Sequence, residues 1–175
     1  MSELIIEPAR TALVVIDLQV RIVGMDTGPH SGAEVVRRSA RLADAFRAAG
    51  GTVAVVRAER PGVPEQPPGS ELVAEIEPRA GDLAVTKRAW SAFHETGLHE
   101  RLGERGVDTL VPVGLVTNAG VESTARAASD HDYALLFPED AMSGFDAASH
   151  RFAVETIFPL LGTVTTADAV IAALG

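Results

Sequence analysis

The chain of 175 residues carries 15 Lys and Arg against 24 Asp and Glu, a formal net charge of −9, with 46% hydrophobic and 22% charged residues. That acidic balance argues against nucleic acid as a partner, because sequence-independent binding rests on a basic surface. No apolar run is long enough to cross a bilayer, and the chain has no cysteine, so a single domain over residues 1–175 must be held by its core alone.

The opening stretch, Met1 to Pro8, lacks the basic and apolar regions of a signal peptide. The expected setting is therefore cytoplasmic, with no membrane partner. Thr11-Ala-Leu-Val-Val-Ile-Asp17 is a continuous apolar run ending in a carboxylate. Continuous apolarity fits a strand covered on both faces, as in a parallel sheet. Gly28, Pro29 and His30 break the next segment, and Ser31 with Glu34 makes a capping box. Val35, Ser39, Leu42 and Phe46 then form the stripe of an amphipathic helix, which Gly50-Gly51 stops.

Thr52–Arg57 reads as a second strand. Residues 58–70 hold Pro61, Pro64, Pro67 and Pro68 with Gly62 and Gly69, a loop that is either a mobile flap or a plain surface excursion. Asp82–Lys87 is a third strand, again ending in a charge, and Ser91–Arg105 is a helix-containing crossover closed by Gly106. Asp108–Val113, Tyr133–Pro138 and Gly162–Thr165 give three further strands. Helices follow at the turn after Val113 to about Asp130, at 147–158, and at 167–174. Strand and helix alternate throughout. The expected fold is α/β: a three-layer α/β/α, Rossmann-like architecture with a doubly wound, six-stranded parallel sheet.

The chemistry concentrates at strand ends, where such sheets bind ligands. Leu110–Val113 runs through the turn Gly114–Gly120 into a helical stripe of Val121, Thr124, Ala125 and Ala128. A strand–turn–helix junction offers N–H groups to an anion and in many enzymes carries a nucleophile. Here the candidate positions hold Ala119 and Gly120. Asp17 ends one strand and Lys87 another. A buried carboxylate needs a partner, so either Lys87 pairs with Asp17 or Asp17 caps a neighbouring turn.

Other residues have plainer readings. Glu122 and Arg126, spaced i, i+4, fit an exposed ion pair. Ser123 and Thr124 fit packing or bonds to nearby carbonyls. Asn118 fits the N-cap of the elbow helix. Trp90 and Phe93 either line a pocket or pack in the core. The five histidines show no ligand spacing, so no metal is expected.

Taken together, Val-Val-Ile-Asp17-Leu-Gln19, Lys87-Arg-Ala-Trp90-Ser91-Ala92-Phe93 with Thr96 and Leu98, and Val113-Gly-Leu-Val-Thr-Asn-Ala-Gly-Val-Glu-Ser-Thr-Ala-Arg126 followed by Glu139-Asp140-Ala141 resemble the three motifs of the isochorismatase-like (cysteine hydrolase) superfamily. The resemblance covers nearly the whole chain. It implies a catalytic trio at Asp17, Lys87 and Gly120, the last at the place of the family's nucleophilic cysteine. It further implies substrate contacts at Gln19, Trp90, Val116 and Asn118, and a cis peptide bond between Leu115 and Val116 that turns the Val116 N–H toward the Gly120 N–H. Amidases of that family need the thiolate. Its true isochorismatases lack it and hydrolyse a vinyl ether by acid catalysis and water attack. Nicotinamidases hold a metal through an Asp-x-His motif, whereas Arg57-Ala-Glu-Arg-Pro61 has no histidine.

The expectation is a hydrolase of a small-molecule substrate that uses no cofactor and no metal. Asp17 transfers the proton, Lys87 keeps it ionised and lowers its pKa, and water attacks. The alternative is a catalytically inactive member that binds a small molecule or acts as a scaffold. The resemblance also implies a homodimer or larger homo-oligomer.

Overall fold

A computed structural model describes residues 4–175. Seven parallel strands form its sheet: β1 (Thr11–Ile16), β2 (Thr52–Ala58), β3 (Leu83–Lys87), β4 (Thr109–Leu115), β5 (Ala134–Pro138), β6 (Met142–Ser143) and β7 (Thr163–Thr165). Six of them lie in the order β3-β2-β1-β4-β5-β7, while the two-residue β6 pairs with β4 at Gly114 and Leu115. The six expected strands are therefore all present, and β6 is an addition too short to leave a sequence pattern.

Burial explains which strands the pattern made plain. Every residue of β1 is buried, and β4 is buried after its first residue, as central strands covered on two faces require. At the edge, β3 alternates, with Leu83, Val85 and Lys87 inside and Ala84 and Thr86 outside. The helices are α1 (Val20–Val23), α2 (Gly32–Ala49), α3 (Leu98–Gly103), α4 (Glu122–Asp130), α5 (Ala147–Phe152), α6 (Phe158–Leu161) and α7 (Ala167–Leu174).

Alternate residues of the central strands β1, β2 and β4 supply two cores. Leu13, Val15, Val53, Val55, Val111 and Val113 pack with Val35, Leu42 and Phe46 of α2 and with Val170 and Leu174 of α7. Val14, Ile16, Val56 and Leu110 pack on the other side with Leu98, Leu102, Ala125 and Phe158. Phe137 and Phe158 stack with ring centroids 4.2 Å apart. This is the three-layer arrangement.

The Ser31–Glu34 capping box forms: the Glu34 N–H donates to Ser31 Oγ at 3.3 Å and the Ser31 N–H to Glu34 Oε2 at 2.9 Å. Gly50 closes the same helix in the left-handed conformation, φ 80°. Other boundaries shift. Helix occupies only 98–103 of the crossover, because residues 91–97 are held in turns by Thr96 Oγ1, which donates to the Ala92 carbonyl at 2.5 Å. The expected helix over 147–158 is interrupted by a π-helical turn at Ala153–Ile157 and continues to Leu161. Among the described residues, no helix is long and apolar enough to cross a membrane.

Candidate active site

The chain builds β1, β2 and β3 toward one edge, then returns to β4 beside β1 and builds toward the other. The carboxyl ends of β1 and β4 thus flank the topological switch point, where open α/β sheets bind ligands. Strand register places Ile16 beside Gly114. The approach is so close that a Cβ on Gly114, whose φ is 114°, would lie 2.2 Å from the Ile16 carbonyl oxygen. Glycine is required there.

Asp17 follows β1 in a left-handed conformation, φ 53°, with its N–H donating to the Val56 carbonyl at 3.0 Å. Asp and Asn tolerate that region better than most residues. Lys87 ends β3, and its ammonium lies 2.9 Å from Asp17 Oδ2. The same Nζ donates to the carbonyls of Trp90 at 3.0 Å and Ala89 at 3.2 Å. Its three donors are all used. The loop that supplies these carbonyls is tied to α4, because the Ala92 N–H donates to Thr124 Oγ1 at 3.0 Å. Thr124 therefore braces the lysine cradle, a long-range role its sequence context did not reveal.

Asp17 is only half satisfied. Its Oδ1 is buried and has no hydrogen-bond partner among the described residues. Burial pushes the carboxyl above its ordinary pKa, against the lowering pull of Lys87 and, more weakly, Arg21. Lys87 does pull the carboxyl down as expected, but the expected net lowering is overturned: for a carboxylate nearly sealed from water, desolvation outweighs one neighbouring cation.

Gly120 completes the cluster. A Cβ built there would lie 3.2 Å from Asp17 Oδ2 and 3.4 Å from both Lys87 Nζ and Ile16 Cγ2. The missing side chain would point at the ion pair. Gly120 sits in a π-helical turn, Thr117–Val121, that opens the elbow before α4. The Leu115–Val116 peptide bond is cis. The Val116 N–H donates to no backbone carbonyl among the described residues, while its own carbonyl accepts from Ala119 and Val121 at 3.0 and 3.3 Å.

The other residues expected at the site fall differently. Gln19 is fully buried and its amide is spent on backbone: Nε2 donates to Ser70 O at 2.6 Å and Ala58 O at 3.0 Å, and Oε1 accepts from the Ala58 N–H at 2.9 Å. It pins both stems of the proline-rich loop, so the expected substrate contact is corrected. Asn118 lies inside the elbow turn with φ −88° and ψ 21°, and its Oδ1 accepts from the Phe145 N–H at 3.3 Å, so it is not the N-cap. Trp90 exposes 65% of its surface and is no core residue, whereas Phe93 packs against the core. Glu122 and Arg126 form the expected pair at 3.0 Å.

A cavity of about 250 Å³, lined by Pro61, Thr86, Arg88, Ala89, His94 and Glu95, opens beside the lysine cradle. Asp17 and Lys87, with side chains 10% and 4% exposed, are not among its lining residues. Among the described residues, no group of three or more His, Asp or Glu side chains is arranged to hold a metal ion.

The isochorismatase domain family matches residues 11–169. The chain belongs to the isochorismatase family. It is 38% identical over 180 residues to the uncharacterized isochorismatase family protein YecD of Escherichia coli O157:H7, covering 94% of this chain and 96% of that one. The structure of an isochorismatase family protein from Burkholderia thailandensis superposes with a TM-score of 0.89 at 38% identity, covering 99% of each chain. N-carbamoylsarcosine amidase from Thermoplasma acidophilum superposes with a TM-score of 0.78 at 27% identity, over 91% of this chain and 97% of that one. The chain is accordingly an isochorismatase-family hydrolase with the family's parallel-sheet fold.

Proposed function

We propose that this hydrolase acts on a small molecule at the Asp17–Lys87–Gly120 cluster, with Asp17 as the proton-transferring group and water as the nucleophile. One observation carries the reading. Among the described residues, Asp17 Oδ1 is buried without a partner while Oδ2 is held by Lys87. A buried polar atom without a partner costs roughly 1–3 kcal/mol, and a site that keeps such an atom fits one that hands a proton to a substrate.

The chemistry follows from the protonation balance. Burial that raises the carboxyl above its ordinary pKa favours the acid form, which can give a proton to a substrate and later take one back. In its acid form Asp17 protonates an electron-rich substrate such as a vinyl ether. Water then adds to the resulting oxocarbenium carbon and returns a proton to Asp17, and the hemiketal so formed collapses with cleavage of its ether C–O bond to a carbonyl compound and an alcohol, so one water is consumed. The space at Gly120, where a Cβ would stand 3.2 Å from Asp17 Oδ2, suits that water. Lys87 supplies positive charge beside the carboxylate once the proton has left. The Val116 N–H, which donates to no backbone carbonyl among the described residues, is the candidate donor to a developing oxyanion, and no thioester route is open to a chain without cysteine.

The glycine at the nucleophile's place also favours a second reading, a family member that binds a small molecule without turning it over. A panel of isochorismate-like vinyl ethers and small amides, assayed with wild type and Asp17→Asn, separates the two. Turnover that falls about 10²–10⁴-fold in Asp17→Asn is the expected result. Equal turnover by both proteins removes Asp17 as the catalyst. Binding without turnover on any substrate establishes the second reading.

A further inference from the structure

A second polar cluster lies behind the elbow, and the proposed hydrolysis does not use it. His150 of α5 is 4% exposed, and both of its ring nitrogens are engaged. Nδ1 is 2.9 Å from Thr117 Oγ1, and Nε2 is 3.4 Å from Glu139 Oε2. Thr117 is fully buried and is the first residue of the π-helical turn that carries Gly120. Glu139 follows β5.

The partners fix the tautomer. A carboxylate only accepts, so Nε2 carries the ring proton toward Glu139. Nδ1 then accepts from the Thr117 hydroxyl, which donates. The far end of the chain reaches solvent at a cavity of about 420 Å³, whose lining includes Glu139, His150, Arg151 and Glu155. His30 approaches the imidazole from the loop before α2, at a ring-centroid distance of 6.2 Å. These are the titratable and charged groups around the ring.

We propose that His150 is a positioning residue: as a neutral imidazole strung between Glu139 and Thr117 it holds the start of the catalytic elbow, and taking up a proton releases that hold and turns the site off. An imidazolium donates from both nitrogens, so Thr117 Oγ1 must then accept and turn its own hydrogen away. The Thr117 hydroxyl has no second hydrogen-bond partner among the described residues, and a buried donor without an acceptor is unfavourable. The elbow must shift to relieve it. Burial lowers the imidazole pKa below its ordinary value, with His30 adding weakly in the same direction and Glu139 opposing. The ring therefore stays neutral around pH 7, and the switch operates on the acid side.

This inference rests on the hydrolase reading for its effect on turnover, but its structural part is measurable without activity. Amide NMR signals of Val116 and Gly120, followed between about pH 5 and 8, should titrate with the His150 ring signals in wild type. In Thr117→Val the ring should still titrate while both amides stay flat, and Thr117→Ser should restore the coupling. His30→Gln should leave the coupling in place. On an active substrate, kcat should fall as His150 protonates with KM little changed. Thr117→Val should lower kcat about tenfold or more and lose that acid limb. Amides that ignore the His150 titration in wild type, or that still follow it in Thr117→Val, overturn the inference whatever the turnover. Coupled amides without turnover on any substrate sink the hydrolase reading and leave the coupling standing.

Discussion

Two polar clusters are buried at the carboxyl edge of the same sheet, and they solve the same problem in opposite ways. Asp17 and Lys87 enter the low-dielectric interior as a charged pair at 2.9 Å, and one carboxylate oxygen has no partner among the described residues. Thr117, His150 and Glu139 form a chain in which each ring nitrogen of the histidine is occupied. Burial raises the acid in the first and lowers the base in the second, so both are pushed toward their neutral forms. The difference lies in what remains open. An unpartnered oxygen beside an empty Cβ position is equipped to exchange a proton with a ligand. A closed relay is equipped to hold backbone in place and to respond when a proton breaks it.

The largest effect should come from breaking the charged pair on one side only. Lys87→Met leaves the Asp17 carboxylate buried without its cation and two carbonyls without their donor. Removing one partner of a buried pair costs about 3–5 kcal/mol. The double variant Asp17→Asn with Lys87→Met carries no buried charge and should recover most of that loss in urea denaturation, while remaining without turnover. If the double variant is as unstable as Lys87→Met alone, lost packing and not an uncompensated charge explains the single change.

A smaller effect distinguishes the two glycines of the elbow. Gly114 has φ 114°, and an added Cβ meets the Ile16 carbonyl oxygen at 2.2 Å. Gly114→Ala should therefore lose about 3 kcal/mol or more through strain and displacement of β1 from β4. Gly120 carries no such backbone penalty, and its Cβ would meet Asp17 Oδ2 at 3.2 Å, a contact relieved by a few tenths of an ångström. Gly120→Ala should change stability by less than about 1 kcal/mol, since alanine is also the better helix former. It should nevertheless cut turnover by filling the space assigned to water. Thermal melts and kinetics on both variants test this. Wild-type turnover in Gly120→Ala would remove water from that position.

These two glycines also mark how far the sequence could be read. Asp17, Lys87 and Gly120 are local events, a charge or a break at the end of an apolar run, and strand order converts them into neighbours. The continuous burial of β1 and the Ser31–Glu34 capping box are local in the same sense. Gln19 misled for the converse reason: it sits in the right motif, but its partners are backbone atoms of Ala58 and Ser70. No side-chain pattern announces a bond to distant backbone. The relay was hidden likewise, since Thr117, Glu139 and His150 come from three separate elements. Glu139 follows β5 as Asp17 follows β1, and it sits in the Glu139-Asp140-Ala141 stretch of the family resemblance, but neither signal pointed to a histidine partner. His150 on its short helix had none.

The smallest expected effect lies in the pH dependence of stability, where the two clusters should differ in sign. His150 is lowered from 6.5 by burial. As pH falls below that value the unfolded chain takes up the proton while the folded one resists, so stability declines down to the folded pKa. Asp17 is raised above 3.8. As pH falls through its folded pKa the native state takes the proton first, so this group adds stability until the unfolded carboxyl protonates near 3.8. Urea midpoints measured across this range should show a decline on the acid side of neutrality that His150→Gln flattens. A partial recovery at lower pH should disappear in Asp17→Asn. Carboxylates lowered by their partners, such as Asp108 beside Arg10, contribute an acid-side loss common to wild type and both variants, so the informative quantity is the difference between curves. Parallel curves for wild type and His150→Gln would mean that His150 titrates alike in the folded and unfolded chain, and the closed relay would lose its distinction from the open pair.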